Sequence, residues 1–240
     1  MIIEDSIYWP LRTLRIASIK ANLIPFTRSG GRTIGSAAST PIRTDMGWWS
    51  IQYAGVKLSK PDERRTWEAI AGLLNGRSGL IAVPVWTFES APYINDIWQP
   101  VDYTLSHSDS SLFDDSSGYE QDIIHVENVN GVTYGATILT LRCISSGVKI
   151  VGAKFSYQHA LYKIIKTFGT DDGNPIVQIT PSIRAPIPAD ARLSFDIPTC
   201  LCRLETDTSM DGNVNIDLFD RLDVSFTEAN DVWSYLADES

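Results

Sequence analysis

The sequence predicts an all-β fold with one packed helix at about 61–75, arranged as a β-sandwich domain that carries an inserted small β-barrel. Three observations predict it. Apolar and polar residues alternate with period two along most of the chain, which is the spacing of half-buried strands. Turn-forming clusters separate the alternating runs: Ser29-Gly30-Gly31, Asp171-Asp172-Gly173-Asn174 and Asp211-Gly212-Asn213. A single segment, 59–79, departs from that period and follows helical spacing instead.

In chain order, LRTLRI (11–16), SIKANL (18–23) and WWSIQYAGVKL (48–58) read as strands. The helix follows. Pro61 suits a first helical position, Asp62 and Glu63 suit the first turn, and Gly76 suits the stop. Trp67, Ile70, Ala71 and Leu74 form one apolar stripe, whereas Arg64, Arg65 and Glu68 face away from it. LIAVPVW (80–86) is a buried strand, far too short to cross a bilayer. The stretch from 88 to 122 is rich in Ser, Asp, Tyr and Pro with only weak alternation, and its part HSDSSLFDDSSGYEQD (107–122) reads as a solvated strap leading to the barrel. Evenly spaced strands then run from 131 to 195: ATILTLRC, AKFSYQ, LYKIIKTF and IVQIT, with turns at 147–152 and 171–174. LCRLE (201–205), NVNIDLF (213–219) and DVSFTEA (223–229) are too few to form a domain and are expected to rejoin the first sheet. The predicted division is therefore 1–122 plus 196–240 for the sandwich and 123–195 for the barrel.

A net charge of −9 argues against a nucleic-acid binder, which needs a basic footprint. The N-terminus MIIEDSIYWP is acidic where a signal peptide is basic, so synthesis and use without secretion are expected. Three Cys (143, 200, 202) and three His (107, 125, 159) give neither a disulfide framework nor zinc spacing. The charge is unevenly spread. Residues 1–45 carry six Arg and Lys against three acids, and 205–240 carry ten acids against Arg221. Such a split suits contacts between copies of the chain, with Arg12 and Arg15 on one side and Asp220 and Asp223 on the other. Ordinary solvated faces would have the same composition.

Catalytic templates are missing: no G-x-S-x-G elbow, phosphate loop, G-x-G-x-x-G or H-E-x-x-H occurs. His107, Ser108 and Asp109 are neighbours in sequence and cannot easily form a triad. Asp114 and Asp115 lack the shielding that a general acid needs. For calcium, the loop from Asp109 reaches Glu120 at position 12 but has Ser111, Phe113 and Asp114 where acids and a glycine belong. The loop from Asp207 continues well through Ser209, Asp211 and Gly212, then has Leu218 in place of the bidentate Glu. An Asp-Gly hairpin accounts for the same residues. No cofactor and no metal are therefore expected. Trp49 and Tyr53 share one strand face and read as core. Trp98 and Tyr103, with Phe113 and Tyr119 in the strap, are the candidates for a partner surface.

Several stretches, taken in order, resemble one family: Trp9-Pro10-Leu11-Arg12, the helix ending LLNGRSG, LIAVPVW, HSDSSLFDDSSGY, ATILTL, FSYQHALYKI, ITPSIRAPIPADARLSFDIPTCLCRL and VSFTEA. The order resembles that of the distal tail or minor tail proteins of long, non-contractile-tailed bacteriophages and prophages. Relatives tend to have more Gly in the Asp/Ser loop, and Phe-Asp where this chain has Trp86-Thr87. The resemblance implies a non-enzymatic virion protein at the tail tip, made in the bacterial host cytoplasm. Its β-sandwich with a helix would build a ring, usually a hexamer, and its second β domain would project outward. Expected partners are other copies of the chain, the tail tube protein, the tail-tip hub protein and receptor-binding or fibre proteins. DNA would be passing cargo only, with no membrane insertion. The alternative is a carbohydrate-binding module of the tail tip, using the barrel or the 88–122 segment.

Overall fold

The computed structural model describes residues 6–29, 41–85, 90–97, 102–105, 119–121, 123–211 and 220–233. Its strands are β1 (Ile7–Tyr8), β2 (Ser18–Ser29), β3 (Pro41–Leu58), β4 (Ile81–Pro84), β5 (Asp102–Leu105), β6 (Tyr119–Gln121) and β7 (His125–Asn128). They continue as β8 (Ile138–Ser145), β9 (Lys154–Tyr157), β10 (Ala160–Asp171), β11 (Asn174–Thr180), β12 (Arg192–Leu193), β13 (Thr199–Leu204) and β14 (Asp220–Glu228). Helix α1 covers Pro61–Leu74. Among the described residues no helix is long and apolar enough to cross a membrane.

The fold is all-β, with one nearly closed barrel and one long helix packed on a sheet. A six-stranded sheet has the order β1-β4-β13-β14-β3-β2, so strands from the N- and C-terminal parts of the chain share it. A second six-stranded sheet, β12-β7-β8-β11-β10-β9, curls until its ends meet. Ser156 and Ser194 exchange two backbone bonds of 2.9 Å there and close the gap. The Asp172-Gly173 turn has φ of 49° and 80°, the left-handed pair that a two-residue hairpin between β10 and β11 requires.

Helix α1 forms for the reasons its sequence supplies. Pro61 stands first, and Glu63 folds back to accept the N–H groups of Ser59 (2.6 Å) and Lys60 (2.9 Å). Those bonds hold the Glu63 carboxyl below its usual range. Asn75, at φ 45°, terminates the last turn in the left-handed region, and Gly76 continues it at φ 67°. Trp67, Ile70 and Leu74 are buried against the first sheet, with Ala71 half-buried beside them.

Strand β3 contains a slip that its sequence conceals. Trp49, Ile51 and Tyr53 face α1, and so do Val56 and Leu58, although their spacing changes parity between Tyr53 and Val56. A bulge makes this possible: β14 pairs Val224 with Tyr53 but Leu222 with Val56. Gly55 takes φ 67° at the extra position, and Asp223 Oδ1 accepts its N–H at 2.7 Å. Without the bulge, Val56 and Leu58 would face the other layer.

Two expectations change. The run 11–16 is not a strand but a turn, because Thr13 and Leu14 both donate to the Pro10 carbonyl (3.0 and 2.8 Å). Its alternation comes from Leu14 burying completely while Arg12 and Arg15 stay outside. The weakly alternating stretch from 88 to 122 is not wholly irregular, since β5 and β6, the latter within the 107–122 strap, pair antiparallel. Its Val-Asp-Tyr-Thr-Leu run holds enough strand-forming residues for a short ladder.

Candidate functional site

The first core fixes the position of the N-terminal cations. Trp9 is fully buried, with its ring centroid 5.2 Å from Tyr53, 5.6 Å from Phe226 and 6.1 Å from Trp67, all edge-to-face. Its backbone N–H also donates to the Ala82 carbonyl at 3.1 Å. From that anchor the chain turns at Pro10, buries Leu14, and rejoins β3 where Lys57 N–H meets the Arg15 carbonyl at 2.9 Å. The segment is thus pinned at both ends, with its charged side chains outward.

The result is a cleft of about 400 Å³ lined by Arg12, Thr13, Arg15, Lys57, Ser59, Lys60, Asp62 and Glu63. Four cations converge on it from three elements. Glu63 is committed to the helix start, and Asp62 is bonded to Arg65 at 3.3 Å. Among the described residues no carboxylate lies within ion-pairing distance of Arg12, Arg15, Lys57 or Lys60. The described lining therefore sets four cations against Asp62 and Glu63, an excess of positive charge on a chain whose net charge is −9. It is suited to carboxylates or other oxyanions presented from outside.

Arg12 and Arg15 are brought together here. Asp223 is nearby within the same chain, capping the Gly55 bulge, and the backbone of Asp220 pairs with Leu58 at the end of β3. Tyr103 and Tyr119 fall in β5 and β6, whereas Trp98 and Phe113 lie outside the described residues. Most of the 109–120 loop also lies outside them, as do residues 212–218 of the second calcium candidate. Asp207, the first residue of that candidate, accepts the Arg77 N–H at 3.0 Å and so braces the turn after α1. Among the described residues no group of three or more His, Cys, Asp or Glu is placed to hold a metal.

A second polar cluster escaped sequence reasoning. Arg184, from the barrel, reaches Glu228 at the end of β14 through Nε to Oε1 at 3.3 Å, with side chains only 6% and 0% exposed. Arg184 Nη2 also donates to the Gly47 carbonyl, while Trp49 N–H donates to Glu228 Oε2 at 2.9 Å. Burial pushes the Glu228 carboxyl above its usual range, opposed by the guanidinium and the Trp49 N–H. Around the pair, Trp49 Nε1 donates to Leu161 O (2.8 Å), Leu201 N to His159 O (2.8 Å), and Thr199 N to Ser156 Oγ (2.9 Å). These bonds fasten the barrel to the first sheet at β3, β13 and β14. Ser-Ile-Arg-Ala-Pro reads as a turn in sequence, and nothing in it signals a buried cation.

His159 belongs to this seam. It takes φ 66° in the β9–β10 turn, its Nδ1 lies 2.7 Å from Thr199 Oγ1, and its ring meets Tyr8 at 6.1 Å. Burial lowers its pKa below 6.5, so the folded protein favours the neutral ring. A depressed pKa contributes stability that is present above the unfolded value and is lost as pH falls through the folded one. Lowering the pH from 7.5 to 5.5 should therefore reduce the melting temperature of the wild type more than that of His159→Asn. Asn tolerates the left-handed backbone and does not titrate. Equal drops in the two proteins would remove His159 as the cause.

No protein-family model matches the chain, and no curated protein matches it.

Proposed function

We propose that this protein is a non-enzymatic structural subunit of a phage tail tip, assembling with its own copies into a ring between the tail tube and the tip hub. One observation carries the reading, in addition to the ordered resemblance of its sequence stretches. Strand β2 is the outermost strand of the first sheet, is twelve residues long, and among the described strands pairs on one side only, with β3. Beyond the sheet it continues with β3 as a ribbon, because Pro41–Gly47 pairs with β2 whereas β14 reaches only as far as Ser50. A two-stranded ribbon is marginal alone, and a long open edge is a template for another chain. Lys20 and the bulge at Pro25 discourage indiscriminate pairing along that edge and favour one specific partner. The buried Arg184–Glu228 pair suits the same role, since a ring subunit transmits load through fixed geometry.

Size-exclusion chromatography with light scattering and negative-stain imaging tests this. The expected result is a closed ring whose population rises with protein concentration. A monomer at all concentrations that is retained on a polysaccharide column would replace this reading with that of a glycan-binding module.

A further inference from the structure

We infer that the cationic cleft receives the β10–β11 hairpin tip of a neighbouring copy, an inference that rests on the ring reading above. Assembly of identical chains by a heterologous contact needs two complementary patches on different parts of one molecule. The cleft at Arg12, Arg15, Lys57 and Lys60 is one such patch, with an excess of positive charge among the described residues. Asp220 and Asp223 sit on the strand beside the same corner, with Asp223 Oδ1 accepting the Gly55 N–H, whereas a heterologous contact takes its second patch from a different part of the molecule.

The barrel supplies it. From Lys166 to Asp171 every residue of β10 is exposed, so the outer half of the β10–β11 hairpin stands clear of the barrel. Asp171 and Asp172 are adjacent at its tip, beside Gly173. Neither carboxylate forms an ion pair among the described residues, whereas Asp62, Asp96, Asp190 and Asp231 are each paired with a cation. Two carboxylates on a narrow ribbon, without an ion pair among the described residues, match the four cations around a cleft of about 400 Å³. The two-residue turn makes the tip rigid, so ordering it on contact costs little entropy. Because tip and cleft lie on the barrel and on the N-terminal segment respectively, each copy offers both halves. The contact can then repeat around a ring until it closes.

The test uses the full chain in two ways. Arg12→Glu/Arg15→Glu and Asp171→Lys/Asp172→Lys should each raise the concentration at half-assembly by about tenfold or more, since like charges then face each other. All four positions are exposed, so folding is preserved, and the four changes combined should restore assembly to within about threefold of wild type. In a Cys143→Ser background, chains carrying Lys60→Cys are mixed with chains carrying Asp172→Cys and treated with a short bis-maleimide. Cys200 and Cys202 are buried and stay silent. Rescue together with a mixed cross-linked dimer is the expected result. Rings that form without rescue or cross-link would overturn this contact while leaving the ring reading intact. A wild-type chain that stays monomeric would overturn both.

Discussion

Glu228→Ala is expected to destabilise the protein by about 3–5 kcal/mol, the range for a buried pair stripped of one partner. For a chain of this size that corresponds to a fall of about 6–20 °C in melting temperature. The substitution leaves the Arg184 guanidinium buried with no counter-charge, and it leaves the Trp49 N–H without its acceptor. A guanidinium cannot shed its proton to escape. Arg184→Ala should be milder at acid pH, because the Glu228 carboxyl, already raised by burial, can take up a proton and become neutral. The sign follows from linkage. A carboxyl with a raised folded pKa adds stability below its unfolded value and loses it as pH rises through the folded one. The deficit of Arg184→Ala should therefore shrink between pH 7 and pH 5, while that of Glu228→Ala does not. Replacing both with apolar residues, Arg184→Met with Glu228→Leu, should cost less than the sum of the singles. Chemical denaturation of the four proteins at both pH values checks all of this. Single substitutions within about 1 kcal/mol of wild type would show that the pair is not what fastens barrel to sheet.

The division between what the sequence reveals and what it hides follows physical range. Local signals survive. Helix α1 is legible because Pro61, Glu63 and Asn75-Gly76 act within one turn of their own backbone, and the Trp67–Leu74 stripe repeats inside a single element. The Asp172-Gly173 hairpin is legible for the same reason. The turn at 11–14 is not, since Leu14 is buried by tertiary packing and thereby imitates a strand's alternation. The β3 bulge is hidden as well. Its effect is to keep the apolar face aligned, so the sequence looks like an uninterrupted strand. Among the candidate residues, Arg12 and Arg15 could be picked out by charge alone. Lys57 and Lys60 could not, because only the fold brings β3 and the start of α1 to the same cleft. Arg184 and Glu228 are 44 positions apart, and each has an unremarkable neighbourhood in sequence. A pair of that kind becomes visible only when burial is known.

Trp9→Ala is the second substitution expected to have a large effect, and it joins stability to the cleft. The side chain is fully enclosed by Tyr53, Trp67 and Phe226, so its removal leaves a void that rigid neighbours cannot close. Truncations of that type cost about 3–5 kcal/mol. Trp9→Phe keeps an aromatic ring in the cluster and should recover much of the loss. The position matters beyond its volume. Trp9 is the anchor from which Pro10 turns the chain toward Arg12 and Arg15, and the far end is held by the Lys57 N–H bond to the Arg15 carbonyl and the Ala17 N–H bond to the Ala54 carbonyl. With the anchor gone, those two cations lose their fixed spacing from Lys57 and Lys60, so assembly should weaken even under conditions where the chain stays folded. The comparison that separates the two effects is assembly measured at a temperature well below the melting point of Trp9→Ala, with Trp9→Phe alongside. Assembly should fall for the alanine variant and be largely retained for the phenylalanine one. Equal assembly by wild type and Trp9→Ala under those conditions would mean that the cleft's geometry does not depend on the aromatic cluster beneath it.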